Sequence, residues 1–279
     1  MPLAFSTLGC PDADLPEVLR LAQRFAIKGL ELRSGEGQLV HPGLTAVDRR
    51  NLRQALENHD LRLLSVASYL RLLGQNEPPA SKSEVTSSEA AAMISLAADL
   101  QAGGLRVFPG GVSTLNTTVQ SDEQLLNGLA ALSLAAQGSG VQILLETHDQ
   151  SRNGADIGRV MRLLEAELPD HNFRVIWDLR HSWQAGEQLA ETYSALKPWL
   201  GYLQLKDLHN DGGLTLPGDG ELPLREAVQL VGPEQWFSLE WELAWNPELP
   251  ALEDALAALQ KLELFGTQPE LEPITKKEF

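Results

Sequence analysis

The sequence has one cysteine, few basic residues and no long apolar run, and each absence excludes a class of protein. Cys10 stands alone, so no disulfide bond can form within the chain. The formal net charge is −16, from 38 acidic and 22 basic side chains, and no basic stripe reverses it locally. Phosphate backbones and anionic membrane surfaces are therefore disfavoured as partners. No stretch approaches the roughly 20 apolar residues that a membrane-spanning helix needs.

The remaining composition is typical of one globular domain. Hydrophobic residues make up 43% of the chain and charged residues 22%. A length of 279 residues suits a single α/β barrel. Met1 to Ala4 lack the basic segment and apolar run of a signal peptide, so we expect a cytoplasmic location.

Short apolar runs alternate with longer amphipathic segments along almost the whole chain. The apolar runs predict strands and the amphipathic segments predict helices, and strand follows strand at a spacing of roughly 33 residues, which suits a βαβ repeat. Eight such pairs predict a closed (β/α)8 TIM barrel; an open doubly wound sheet would need a glycine-rich phosphate turn after its first strand, and none is found. The predicted strands are Leu3–Leu8, Gly29–Arg33, Leu61–Ala67, Leu105–Phe108, Val141–Glu146, Phe173–Asp178, Leu200–Leu205 and Trp236–Trp241.

Two segments interrupt this rhythm. Residues 75–88 are rich in Pro, Ser and Glu and predict a long loop, either a lid over the barrel mouth or a surface loop. We predict a barrel over residues 1–264 and a tail over 265–279, the tail being a surface appendage or a contact in a homo-oligomer.

Polar residues end four consecutive predicted strands. Active sites of TIM barrels lie at the carboxyl ends of the strands, so these residues are candidates for a site. Two-residue alternation sends Glu146 and His148 to one side, and likewise Gln204 and Lys206. The four strand-end residues are Glu146, Asp178, Gln204 and Glu240.

Three carboxylates that converge in a partly desolvated cavity repel one another. Either cations accompany them or some become protonated. Carboxylate and amide oxygens suit Mg²⁺ or Mn²⁺ better than Zn²⁺, which prefers His or Cys. The alternative is a polar network without metal, in which basic side chains neutralise the acids: Arg33, Arg106, Arg180 and Lys206.

Seven short motifs occur in the order and spacing of a known superfamily. They are Gly29-Leu30-Glu31-Leu32-Arg33, Leu105-Arg106-Val107-Phe108, Leu145-Glu146-Thr147-His148, Trp177-Asp178-Leu179-Arg180-His181, Gln204-Leu205-Lys206-Asp207, Pro217-Gly218-Asp219-Gly220 and Leu239-Glu240-Trp241-Glu242. With these motifs the chain resembles the xylose-isomerase-like TIM barrels, which include sugar phosphate isomerases and epimerases, ketose 3-epimerases and inosose dehydratases.

The resemblance implies roles for the strand-end residues. Glu146, Asp178 and Glu240 would ligate a divalent metal, Mn²⁺ or Mg²⁺ first and Co²⁺ or Zn²⁺ otherwise. Gln204 would be the fourth ligand, at a position where the family commonly carries His. Glu146 and Glu240 would also be catalytic, moving a proton on and off a carbon next to a carbonyl.

Three residues are candidates for substrate binding. His148 and His181 would lie near the substrate by the same resemblance, and Lys206 would assist the charge on a substrate oxygen. The loops after the seventh and eighth strands carry no lysine or arginine cluster, which favours an unphosphorylated keto sugar or polyol.

The predicted function is thus a metal-dependent sugar isomerase or epimerase. One alternative is an inosose-type dehydratase, because proton abstraction followed by hydroxide loss needs nearly the same residues. A second is a metal-free barrel that binds without catalysis, since Gln204 replaces the usual ligand. An endonuclease for abasic DNA is disfavoured by the acidic charge and by only six histidines.

Overall fold

Eight parallel strands close into a barrel in the computed structural model, which describes residues 1–73, 87–111 and 119–265. Strand order around the barrel follows the chain, and the last strand pairs with the first, with Leu3 beside Phe237. The barrel strands are β1 (Leu3–Ser6), β2 (Gly29–Arg33), β3 (Arg62–Leu73), β4 (Gly104–Gly110), β5 (Gln142–Glu146), β6 (Phe173–Asp178), β7 (Leu200–Leu205) and β10 (Trp236–Leu239). A small antiparallel pair, β8 (Asp207–Leu208) and β9 (Leu214–Thr215), follows β7.

Helices fill the connections between the strands, which confirms the (β/α)8 TIM barrel. The first of them begins where the sequence indicates, because Asp14 accepts a hydrogen bond from the N–H of Glu17 and Pro16 lies in the first turn. The helices in the described ranges are α1 (Leu15–Arg24), α2 (Ala46–Asn58), α3 (Ser87–Asp99), α4 (Val119–Ala136), α5 (Gly154–Glu167), α6 (Leu179–Gln184), α7 (Leu189–Leu196), α8 (Leu224–Val231) and α9 (Leu252–Lys261).

The interior of the barrel changes from apolar to polar along the strands. Ala4, Leu64, Leu144, Ile176 and Tyr202 form an apolar cluster, separate from the larger core between strands and helices. Because side chains alternate along a strand, the residue two positions further on points to the same side. That step leads from apolar to polar on four strands: Ala4 to Ser6, Leu144 to Glu146, Ile176 to Asp178, and Tyr202 to Gln204.

Five strands differ from their predicted bounds, β4 and β5 by at most two residues at either end. The first and last barrel strands end at Ser6 and Leu239, two residues early, so Glu240 directly follows a strand instead of lying in it. Strand β3 continues to Leu73, past the predicted end at Ala67. A register shift separates Ala67 from Arg71, after which the strand pairs again with β4. Polar residues beyond Ala67 interrupt the apolar run. A prediction from apolar runs therefore ends the strand too early.

The predicted loop at 75–88 and the predicted tail at 265–279 lie largely outside the described residues, which omit 74–86 and 266–279. The lid hypothesis and the domain boundary at residue 264 therefore stay predictions. Within the described ranges, no helix combines the length and apolar character required to cross a bilayer.

Candidate active site

The three strand-end carboxylates meet at the carboxyl end of the barrel. Glu146 ends β5, Asp178 ends β6 and Glu240 follows β10. All three are buried, and one oxygen from each lies within 4.8 Å of the others. Parallel strands in a closed barrel bring their carboxyl ends to one mouth, so residues far apart in sequence form one cluster.

Asp178 has a structural role as well as a place in the cluster. Its Oδ1 accepts hydrogen bonds from the backbone N–H groups of Arg180 and His181 and caps helix α6. Its other oxygen, Oδ2, lies 2.7 Å from the Lys206 amine in the cluster. The cap fixes the carboxylate, and the second oxygen remains available to the site.

Gln204 is fully buried beside the carboxylates. Its Nε2 donates to Glu31 Oε2 at 3.0 Å and to Glu240 Oε1 at 3.3 Å. Because the amide nitrogen faces two carboxylates, the amide oxygen has no donor among the described residues. A free, buried amide oxygen is a suitable ligand for a hard cation.

Two buried cations lie among the acids. Arg106 Nη1 lies 3.1 Å from Glu240 Oε1 and 3.4 Å from Glu146 Oε2. Lys206 Nζ contacts Glu240 Oε2 and lies 2.7 Å from Asp178 Oδ2 and 3.0 Å from Glu242 Oε1. The neutralising network that the sequence left open is therefore present in part. Lys206 is fully buried and is absent from the walls of the cavity, so direct contact with a substrate stays a prediction.

The surroundings shift the pKa values of Glu146 and Asp178 in opposite directions. Burial raises the pKa of Glu146 well above its ordinary value, and Glu240 and Asp178 add to this against the opposing charge of Arg106. Burial also favours neutral Asp178, yet Lys206 and then His181 outweigh it and lower the pKa of that carboxyl. Two carboxyls with opposite shifts are typical of an acid and base pair in an active site.

Glu31 belongs to the cluster and was not predicted as a site residue. It lies in the middle of β2, fully buried, and accepts hydrogen bonds from Tyr202 Oη at 2.7 Å, from Gln204 and from Ser238. Burial and the charge of Glu240 raise its pKa. The sequence does mark Glu31, because it is the single carboxylate inside the apolar run Gly29–Arg33. The prediction considered only residues at strand ends and so omitted it.

The donor set fits a divalent cation with oxygen ligands. Glu146 Oε2 and Gln204 Oε1 are buried and accept no hydrogen bond from the described residues. If every carboxyl of the cluster is ionised, as it would be around a bound metal, the cluster carries two more negative than positive charges, which one divalent cation would balance. The groups counted are Glu31, Glu146, Asp178, Glu240 and Glu242 against Arg106, Arg180 and Lys206.

A cavity of about 400 Å³ opens above the carboxylates. Glu146 and Glu240 form part of its floor, and the aromatic rings of Tyr69, Phe108 and Trp245 form part of its walls. Ring faces of this kind pack against the C–H groups of a sugar. The cavity therefore offers reacting groups below and apolar contact at the sides.

The two predicted histidines face each other in this cavity. The rings of His148 and His181 lie 4.4 Å apart, and together with Glu146 they form a second group that could hold a metal. His148 packs against Phe108 at 4.4 Å between ring centres. Burial lowers the pKa of His181 to about 4 despite the nearby charge of Asp178, so this ring is neutral at pH 7.

A model of the xylose isomerase-like TIM barrels matches residues 19–262. The chain belongs to this family. The chain is also similar to a 3-dehydroshikimate dehydratase of Bacillus anthracis, with 20% identity over 244 residues, covering 81% of this chain and 84% of that protein.

Solved structures of the same fold include a sugar epimerase and a zinc protein. The IolI protein with a bound zinc atom has a TM-score of 0.73 and 15% identity, covering 97% of this chain and 100% of that one. A D-psicose 3-epimerase from Clostridium cellulolyticum H10 with D-tagatose has a TM-score of 0.70 and 14% identity, covering 95% and 99%. At these identities the likeness shows the fold alone.

Proposed function

We propose that the chain is a metal-dependent sugar isomerase or epimerase, which moves a proton on a carbon next to a carbonyl. The observation that carries this proposal is the placement of two glutamates. Glu146 and Glu240 both line the cavity and both contact Nη1 of Arg106, yet they come from strands separated by two others. Carboxylates that approach one cavity from two sides can remove a proton from one face and return it to another.

The two glutamates differ in their surroundings, and this difference supports separate roles. Glu146, whose pKa burial raises, is suited to exchange a proton near neutral pH. Glu240 instead contacts three donors, from Arg106, Gln204 and Lys206. Lys206 itself stays charged, because Asp178, Glu240 and Glu242 raise its pKa against the opposing effect of burial.

Four oxygen-bearing residues would hold the metal: Glu146, Asp178, Gln204 and Glu240. Their chemistry favours Mn²⁺ or Mg²⁺. The metal, when bound, supplies positive charge next to the carbonyl oxygen whose negative charge grows as the proton leaves. His148 and neutral His181 would orient hydroxyl groups by hydrogen bonds, and the aromatic walls would pack against the ring of a keto sugar or polyol-derived substrate.

NMR in deuterated water tests the reaction. The Mn²⁺-loaded protein is incubated with a panel of ketoses and ketopolyols, and deuterium at carbon is followed together with product mass. An isomerase or epimerase incorporates deuterium and yields a product of otherwise unchanged mass. Absence of exchange with every compound of the panel would contradict the proposal.

A dehydratase is the second candidate, favoured by the likeness to 3-dehydroshikimate dehydratase over most of both chains. Loss of a proton next to a carbonyl is then followed by loss of hydroxide from the neighbouring carbon. That hydroxide leaves as water after it takes up a proton, and Glu146 could return to it the proton that it removed from carbon. In the same NMR experiment a dehydratase yields an unsaturated product lighter by one water molecule.

A further inference from the structure

Arg33 is the last residue of β2 and lies between the cavity and a neighbouring groove. Its contacts Tyr69 and Trp245 line the cavity, whereas Arg33 itself lines the groove, which has a volume of about 730 Å³. The two spaces also adjoin at consecutive residues, Leu8 on the cavity side and Gly9 on the groove side. Arg33 thus lies between the two spaces, in contact with residues that line the cavity.

The Arg33 guanidinium is held in place by aromatic side chains. Its Nε donates to the Tyr69 hydroxyl at 2.8 Å, and its Cζ lies 4.6 Å from the centre of the Trp245 ring. Stacking on a ring face fixes the plane of a guanidinium and leaves the N–H groups at its edge free. A side chain that is already fixed loses little entropy when a ligand binds to it.

Within the described ranges, Arg33 lacks the acidic partner that the neighbouring arginines have. Among the described residues, neither terminal nitrogen of Arg33 has a hydrogen-bond or ion-pair partner. The arginines that line the cavity all lie within 3.5 Å of a carboxylate: Arg71 with Asp149, Arg106 with Glu146 and Glu240, and Arg180 with Glu242. The other arginine of the groove, Arg20, pairs with Glu253 at 3.0 Å.

We propose that Arg33 binds a carboxylate of the substrate, at the boundary between the cavity and the groove. A planar guanidinium fork matches a carboxylate in shape, and one unpaired cation matches its single charge. A phosphate carries more charge, and among the described residues that line the groove no second unpaired cation would meet it. This proposal rests on the proposed function for the reaction in the cavity and narrows the substrate to a keto sugar acid.

Calorimetric titration of the Mn²⁺-loaded full-length protein tests the role of Arg33. The probes are matched pairs that differ only by an acid group: D-fructose with D-fructuronate, and D-tagatose with D-tagaturonate. D-fructose 6-phosphate tests whether a phosphate binds in place of a carboxylate. We expect the acid of a pair to bind at least about tenfold more tightly than the neutral ketose in the wild type. In Arg33→Gln that preference should fall below about twofold, with affinity for the neutral ketose unchanged, and Arg33→Lys should keep part of it.

Arg62→Gln is the matched control. Arg62 also lies over a tryptophan, with Cζ 5.9 Å from the Trp236 ring centre, but it begins β3 at the opposite end of the barrel. It should keep the full preference for acids. Equal or absent binding of acid and neutral probes in the wild type overturns the proposal, as does a preference that survives in Arg33→Gln or a stronger preference for the phosphate. Calorimetry measures binding without turnover, so it tests the role of Arg33 alone. Failure of the proposed reaction would appear separately, as the absence of deuterium exchange in the NMR experiment.

Discussion

Gln204 shows how one residue connects the parts of the site. Its amide nitrogen donates to Glu31 and Glu240, which orients the side chain and leaves the oxygen free. An amide at the position where the resemblance implies histidine would therefore keep a neutral atom as the proposed ligand. Glu31 in turn depends on Gln204, Tyr202 and Ser238 for its hydrogen bonds.

Replacing Gln204 with Leu tests this double role. Leucine removes both the free oxygen and the N–H groups, so we expect affinity for Mn²⁺ to fall tenfold or more. The free energy of unfolding should fall by about 1–3 kcal/mol, because buried acceptors lose their donors. Calorimetric titration and urea denaturation measure the two effects. Gln204→His keeps a neutral ligand and should keep the metal affinity; unchanged affinity in the Leu variant contradicts a ligand role.

Glu146→Gln tests the proposed proton transfer. The amide keeps the size of the side chain but cannot accept the proton, so the rate of deuterium exchange into substrate should fall by roughly 10²-fold or more. Exchange is followed by NMR, and circular dichroism checks that the barrel is intact. Glu57→Gln, at an exposed position on α2, is the control and should exchange at the wild-type rate. A Glu146→Gln rate within tenfold of the wild type argues against a catalytic role.

Among the elements, the loop after β7 is organised around one carboxylate. Asp207 accepts hydrogen bonds from four backbone N–H groups, those of Leu208, Gly218, Gly220 and Leu222. Gly218 has a φ of +95°, which favours glycine, and a side chain at Gly220 would lie 2.3 Å from Asp207 Oδ1. The glycines of this motif therefore serve to wrap the loop around Asp207, directly after buried Lys206.

Asp207→Ala should destabilise the protein through this loop. Four N–H groups lose a charged acceptor, so we expect the free energy of unfolding to fall by about 3 kcal/mol. Urea denaturation monitored by tryptophan fluorescence gives the value. Asp219→Ala, an exposed aspartate in the same loop, is the matched control and should change stability by less than about 0.5 kcal/mol. Equal effects of the two substitutions would contradict the role given to Asp207.

The whole molecule combines a net charge of −16 with a buried acidic cluster. Repulsion within the cluster is relieved only in part by Arg106 and Lys206. A divalent cation that binds the folded state alone would therefore stabilise the whole barrel by mass action. The acidic charge also opposes binding to nucleic acid, as the composition predicts.

Metal addition should raise the melting temperature. At about one hundred times its Kd, Mn²⁺ adds about 2.7 kcal/mol to the free energy of unfolding. For a chain of this size that corresponds to a rise of roughly 5–10 °C, measured by calorimetry after chelation and re-addition of metal. The double variant Glu146→Gln with Glu240→Gln should lose both the bound metal and the rise. A wild type that stays metal-free in excess Mn²⁺ would instead favour a barrel that binds without catalysis.

The sequence alone determined the fold and the rows of side chains that point into the barrel. Apolar runs at a regular spacing predict eight βα units, and alternation within a strand places Glu146, Asp178 and Gln204 beyond apolar residues of the same row. These are local properties of the chain, so they can be read without coordinates.

Only the tertiary structure decided which charges meet. Arg106 and Glu240, 134 positions apart, form an ion pair, and Glu31 joins the cluster from mid-strand. Arg33 has no acidic partner within the part of the chain that the structure describes. Whether a charge is paired, desolvated or free depends on barrel closure, which brings the ends of distant strands within a few ångströms. Composition and alternation are local properties and do not give the distance between two residues that are far apart in the sequence. For this physical reason only the structure identifies the partner of each charge.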